Sequence, residues 1–559
     1  MSKYLRFIGL ALVVMMLMSL TLGVSAQEKV LHTALGMVGG DLNTIDPSLS
    51  EVAGEIQMIN EMFVGLTGQG EADGALLPGL ASSWDVSDDG FTFTFHLMEG
   101  VPWVHYNADS GAVEQVMDDM GNPRYVTAND VVYAWKRTLD PATASTYAYV
   151  PAEFIVNGQA FNGGEATADD LGIQALDDYT VEITSPVAVS FAPYIYGLWM
   201  VSPLPSWAVE AGGDSWTEPE YYTTYGPFAL KEWEHDVSIT LIKNPFWPGS
   251  PDAPQAILDE VVFHFLDPQA AMAEYEAGTI SAVNPPLEEM DRVRADATLS
   301  AELTIGARDC TYYLGVNQDK APLGDSVHLR RAMSLAVDRQ SIVDNVTKGG
   351  QTPARWFARP GLIAAPTLDT NPEAGIGYDP MLAQEELAMG LEELGVASAA
   401  DLPTITLAYN DSSGHAAIAQ AIQQMWKDTL GIEVQLSAMD PTTYFSTLSE
   451  DAPTIYRSGW CSDYPDADNF LRVVFRSDSS QNDPNFNSPE FDALVDQARA
   501  ETDLETRREL YAAAEDILSR DQVGIIPIYW YTTVQLTKPN IERTYPALGS
   551  QRYEKWDIN

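Results

Sequence analysis

No stretch of this 559-residue chain has the length or composition of a flexible linker, yet the chain exceeds what one hydrophobic core usually serves. Two or more lobes are therefore expected, with the chain passing between them more than once. The clusters Pro203-Leu204-Pro205, Pro285-Pro286 and Pro360-Gly361 mark turns only. Between the turns, strand and helix periodicities alternate. Phe91 to Leu97 alternates strictly behind Asp88-Asp89-Gly90, and Val237 to Ile242 alternates again before Asn244-Pro245. Thr127 is placed to cap a helix bearing Val131, Val132, Trp135 and Leu139, with Asp130 completing a capping box. Ser326 to Asn345 and Glu490 to Arg520 have long helical periods. His415 to Leu430 is a further helix, stopped by Gly431 and followed by the strand Ile432 to Leu436. Ile525 to Tyr529 reads as a buried strand, and the acidic segment Trp103 to Tyr125 as a surface hairpin. The alternation specifies α/β lobes.

Asp and Glu number 80 against 30 Lys and Arg, a formal net charge of -50. Such a surface repels phosphate backbones and anionic headgroups, which argues against nucleic acid and membrane-surface partners. Lys3 and Arg6 precede an apolar run from Phe7 to Leu22, and Val24-Ser25-Ala26 offers small residues for cleavage after Ala26. The run falls short of the roughly 20 residues a membrane span needs. Residues 1-26 are thus expected to be a secretory signal, and the mature chain to be exported, with no cysteine near the cleavage site to carry a lipid. The two cysteines, Cys310 and Cys461, would be able to keep a disulfide outside the cytoplasm, or to stay as buried thiols.

Catalytic signatures are missing from the sequence. There is no G-x-S-x-G elbow, no H-E-x-x-H and no phosphate loop, and the seven histidines include no i, i+4 pair. Adjacent acids such as Asp88-Asp89 and Asp118-Asp119 are expected by chance among 80 acids. No enzyme, cofactor or metal site is expected.

Several segments, in order, resemble the peptide-binding proteins that serve ABC importers, the oligopeptide and dipeptide binding family. They are Asn43-Thr44-Ile45-Asp46-Pro47, Phe63-Val64-Gly65-Leu66-Thr67, the run from Leu77 to Leu97, Thr127 to Arg137, Tyr225-Gly226-Pro227-Phe228, and Arg330 to Arg339. The likeness covers about Leu42 to Pro539. The segment between Trp103 and Thr127 departs from the short turn usual there. The resemblance implies an α/β, two-lobed fold of the periplasmic-binding-protein type II kind, with an extra domain and a ligand cleft between the lobes. Its expected division is lobe I from residues 27-67, 204-309 and 530-559, an extra domain from 68-203, and lobe III from 310-529. The implied partners are short peptides and the permease subunits of an importer, with the chain acting as a monomer.

Within the family the chain resembles the oligopeptide branch, through Arg457-Ser458-Gly459-Trp460-Cys461-Ser462-Asp463-Tyr464. By that resemblance Asp463 holds the peptide ammonium, Arg457 and His415 meet its carboxylate, and Gly459, Trp460 and Cys461 form cleft wall. Cys310 and Cys461 are then a disulfide, and Glu51, Tyr529 and Tyr531 are further cleft candidates. The chemistry suits a zwitterion, because each enclosed charge needs an opposite, hydrogen-bonded one. Were Arg457 to Asp463 one extended strand, both side chains would share a face. Read by themselves, Asp463 could also start a turn, Arg457 and His415 could also be surface residues, and Trp460 and Tyr529 to Tyr531 could also pack a core. The same fold binding an oligosaccharide, an opine or a metal chelate is the alternative, with an exported hydrolase behind it.

Overall fold

The computed structural model describes residues 28–36, 40–71, 74–546 and 551–559, so the expected signal, residues 1-26, lies outside the described residues. One eleven-stranded sheet runs through the molecule. Ten of its strands are β1 (Val30–Gly36), β2 (Phe228–Glu234), β3 (Ser238–Lys243), β4 (Glu260–Leu266), β5 (Ala282–Val283), β6 (Leu303–Val316), β7 (Ile405–Asn410), β8 (Val434–Met439), β9 (Ile455–Cys461) and β10 (Ile525–Thr537). Their spatial order is β2-β3-β4-β1-β5-β10-β6-β9-β7-β8, with Thr352–Pro353 pairing β10 off this path. One half of the sheet thus comes from the N-terminal region and residues 228–283, the other from residues 405–461. The two long central strands join them. β6 pairs β10 through Leu303 to Ala307, slips register, and pairs again through Thr311 to Gly315. The slip lets one pair of strands serve two separately twisted half-sheets.

Each half carries its own core. Leu31, Phe63, Trp103, Trp135, Phe263 and Trp556 belong to the first, which also includes the four-stranded sheet built from Ala81–Val86, Thr92–Leu97, Thr180–Thr184 and Ile173–Asp177. Leu314, Leu329, Met333, Ile422, Trp426 and Ile528 form the second, beneath helices Val327–Leu335, Pro380–Leu394 and Ser413–Leu430. Thr92–Leu97 alternates half-buried and buried as its sequence requires, and Asp130 accepts from the Thr127 N–H at 2.7 Å. Trp103 to Tyr125 does contain a hairpin, Val104–Asn107 against Ala112–Gln115.

Both long helical periods break. In the first, the helix Val327–Leu335 ends and a short one, Arg339–Ile342, restarts behind Asp338, which accepts from the Ser341 N–H. The buried Arg339 guanidinium takes the Ser334, Val337 and Pro527 carbonyls, two of which a continuous helix would have used for its own ladder. In the second, Pro489–Ala500 and Leu504–Asp516 are separate helices, the latter capped by Asp503.

The C-terminal residues close back on the first half. Glu61 and Glu554 are both fully buried there beside Arg552, and Gln57 and the Tyr553 N–H donate to Glu61 Oε1. Burial, then the Glu554 charge, pushes the Glu61 carboxyl well above the usual range. A folded-state pKa above the unfolded value means that stability present at low pH is lost as pH rises through the raised value. Glu61→Gln keeps the Oε1 acceptor and cannot ionise. Its thermal midpoint is expected to exceed that of the parent by about 2–4 °C on the alkaline side. The two should converge in acid; parallel midpoints across a pH series of calorimetric scans would refute the raised Glu61 carboxyl.

Candidate functional site

The site grows out of the antiparallel register of β6 and β9. Leu314 faces Arg457, Tyr312 faces Gly459 and Cys310 faces Cys461, while Tyr312 also pairs Tyr529 on β10. Opposed residues share a face and alternate residues along a strand keep it. Arg457, Gly459, Cys461, Cys310, Tyr312, Tyr529 and Tyr531 are therefore brought to one side of the sheet by pairing alone. Cys310 and Cys461 are bonded to one another, fixing this register where the strands meet the crossing between halves.

The Arg457 guanidinium lies 5.0 Å from the centre of the Tyr312 ring. It donates to the Tyr531 hydroxyl at 2.9 Å and to Asn410 Oδ1 at 3.3 Å, and its Nε is buried without a partner. These partners are neutral; among the described residues no carboxylate pairs with it. His415 stands 3.4 Å from the Tyr312 hydroxyl, and burial together with the Arg457 charge holds its pKa down to about 3, so the imidazole is neutral at physiological pH. A Cβ at Gly459 would come within 3.3 Å of the Tyr531 hydroxyl and 3.4 Å of Arg457 Nη2. Glycine there keeps the approach to the guanidinium open.

Asp463 does not share the strand. β9 ends at Cys461, and Asp463 sits in the following turn, so the two-residue alternation that linked it to Arg457 in sequence does not apply. The turn is held by Asn469, which accepts from the Asp463 N–H at 3.1 Å and the Trp460 indole at 2.9 Å, and donates to Asp463 Oδ2 at 3.0 Å. Burial pushes the Asp463 carboxyl up to about 6, only partly offset by that amide. No cation among the described residues pairs with it.

A cavity of about 430 Å³ opens beside Asp463. From the second half it is walled by Cys310, Gly459, Trp460, Cys461 and Asp463, and from the first by Glu51, Phe63, Gly65, Tyr147 and Trp199. Three further acids on its wall already have cations: Asp309 with Arg359, Asp252 with Arg552, and Glu71 with Lys555. Among the described residues Glu51 and Asp463 have none. The Arg457, His415 and Tyr531 cluster lies outside this cavity and meets it at Gly459. Tyr529 is core, stacked on Tyr312, and Trp530 packs on the opposite face against Trp356. Nothing in the spacing of residues pointed to Tyr147 or Asn469. Tyr312 was within reach, two residues past Cys310 and hence on the same strand face. Among the described residues no group of three or more His, Cys, Asp and Glu is placed to hold a metal ion, and no helix is long and apolar enough to cross a membrane.

Residues 75–482 match the family described as bacterial extracellular solute-binding proteins, family 5. The chain is 34% identical over 526 residues to the periplasmic oligopeptide-binding protein of Salmonella typhimurium, covering 92% of this chain and 90% of that one. Among solved structures it is similar to the murein tripeptide binding protein of Escherichia coli, with a TM-score of 0.80, 28% identity, and coverage of 95% and 99%. The unliganded open form of that protein fits less well, at 0.68. The Haemophilus influenzae oligopeptide-binding protein in complex with the peptide RPPGFSPFR gives 0.79 at 28% identity, covering 95% and 99%. These neighbours share the two-lobed α/β fold, and the lobes here are arranged less like the open form.

Proposed function

The chain belongs to family 5 of the bacterial extracellular solute-binding proteins, and from that premise we propose that it captures short peptides outside the cytoplasm and hands them to the permease of an ABC importer. The observation that carries this reading is a pair of uncompensated opposite charges, Asp463 on the cavity wall and Arg457 in the cluster that meets the cavity at Gly459. Asp463 and Arg457 each have only neutral partners among the described residues, and they stand on either side of Gly459. An isolated enclosed charge is costly, so each calls for a counter-charge from the ligand. A peptide zwitterion supplies both; a neutral sugar supplies neither. Asp463 then takes the ammonium and Arg457 the carboxylate. The neutral His415 and the Tyr531 hydroxyl stand beside that end, and Glu51, Trp460 and Tyr147 form wall.

The same reading divides the chain into lobe I, extra domain and lobe III as the resemblance implies. Its boundaries at 309/310 and 529/530 then fall inside the two strands, β6 and β10, that cross between half-sheets. The relatives are binding proteins, and the chain is read as a receptor without catalytic activity, exported behind its N-terminal segment. Native mass spectrometry of the mature protein tests the ligand class. Co-purified peptides of about two to six residues, a length suited to strand-like ligands rising roughly 3.3 Å per residue, are expected. A bound sugar or chelate in their place would overturn the peptide reading while leaving the fold untouched.

A further inference from the structure

Away from the cavity, one acidic residue of the first half is gripped by two arginines of the second. Glu153 follows the short helix Tyr149–Ala152, whereas Arg472 and Arg499 lie on helices Ala467–Phe475 and Pro489–Ala500. Glu153 Oε2 accepts from Arg472 Nη1 and, at 2.7 Å, from Arg499 Nη1; Arg499 Nη2 also donates to the Glu153 carbonyl at 3.3 Å. The side chains are largely shielded, 25% exposed for Glu153, 13% for Arg472 and 9% for Arg499. Aromatic contacts lie alongside. Tyr464 stacks on Phe191 with 9° between the rings and meets Phe154 edge-on, while Arg499 covers Phe154 and Arg507 covers Phe191.

We propose that Glu153 and the Phe154/Phe191 pair form a latch between the lobes, so that Glu153 sets ligand affinity without touching ligand. Two features argue for this role over a static one. First, the partners come from opposite halves of the molecule, so these contacts join the lobes directly. Arg472 also has a partner on its own side, Asp496 at 3.2 Å, whereas its Glu153 contact crosses between the lobes. Second, the segment carrying the latch also carries Tyr147, which lines the cavity, and Asp463 is close enough to raise the hydroxyl pKa of both Tyr147 and Tyr149, after burial. Latch and ligand site therefore close as one surface. Glu153 is a positioning residue: it biases the closed population, and apparent affinity scales with that population.

Glu153→Gln keeps the side-chain shape but leaves two shielded guanidinium groups facing a neutral amide in the closed state. The proposal rests on the two-lobed arrangement and not on the ligand being a peptide, so the primary readout is ligand-free. Small-angle X-ray scattering is measured on parent and variant after ligand is stripped in guanidinium and the protein refolded. The variant is expected to have the larger radius of gyration, and the parent to approach it as salt is raised and the ion pairs are screened. Any ligand pool that co-purifies should dissociate about tenfold faster from the variant, the scale of one charged hydrogen bond discounted for partial exposure. The thermal midpoint should stay where it was, because an effect on folding alone would lower it without changing the scattering. Arg499→Gln, which removes one of the two guanidinium donors, is expected to expand the protein in the same way and carries the test should the first variant fail to fold. Identical scattering for parent and folded variants at every salt concentration, together with unchanged dissociation of the co-purified ligand, would overturn the latch.

Discussion

Arg457→Met is expected to weaken peptide binding by about 3–5 kcal/mol, a loss of at least roughly 100-fold, because the peptide carboxylate would then be enclosed with no counter-charge. Asp463→Asn should cost a similar amount at the ammonium end. Titration calorimetry with a peptide recovered from the parent protein measures both. The Asp463 effect has a pH signature as well. Its carboxyl in the ligand-free cleft is pushed up to about 6 by burial, and ammonium binding requires the ionised form. Affinity is therefore expected to be full above that value and to fall as pH drops through it. The stability of the empty cleft has the opposite dependence, because a raised folded-state pKa makes the ionised form the less stable one as pH rises. His415, held down to about 3, stays neutral throughout this window and adds nothing to it. The Asp463→Asn protein should show no such pH dependence of affinity; a dependence that survives the substitution would remove Asp463 from the ammonium site.

Asp466→Ala is expected to destabilise the second lobe by about 3–5 kcal/mol, the cost of leaving a buried charge unpaired. Asp466 is fully buried and accepts two hydrogen bonds from Arg507, both at 2.7 Å. It also caps the helix Ala467–Phe475 through the Asp468 N–H. Beside it, the equally buried Asp468 accepts from Tyr464 and Tyr511. Urea unfolding should show a lower midpoint with little change in slope. Pairing the change with Arg507→Met should recover much of the loss, since no charge is then stranded. If the double variant is as unstable as the single one, helix capping and packing, not the ion pair, hold this corner.

Part of this protein is legible without coordinates because it depends on neighbours in sequence. The strand Thr92–Leu97, the Thr127–Asp130 capping box and the helix stop at Gly431 follow from local periodicity and backbone preference, and each is found where its residues place it. The ordered motifs likewise carry the family, since they extend from about Leu42 to Pro539. Long periods mislead where a buried polar group intervenes. Ser326 to Asn345 has helical spacing throughout, yet Arg339 claims carbonyls that the helix needed, and nothing in the spacing announces that a distant Pro527 carbonyl completes its coordination.

The order of residues was enough to indicate the α/β alternation and the family. The surroundings of Arg457 and Asp463 were decided only by packing. The register of β6 against β9 and β10 put Tyr312 and Tyr531 around Arg457, and the end of β9 moved Asp463 off the shared strand face into a turn held by Asn469. Folding also compensated three of the cavity's acids with cations from far along the chain, Lys555 standing 484 residues from Glu71 and Arg552 standing 300 from Asp252. Among the described residues it left Glu51 and Asp463 without one. Formal charge is a property of composition, whereas an uncompensated charge is a property of which side chains meet, and that is set by tertiary packing.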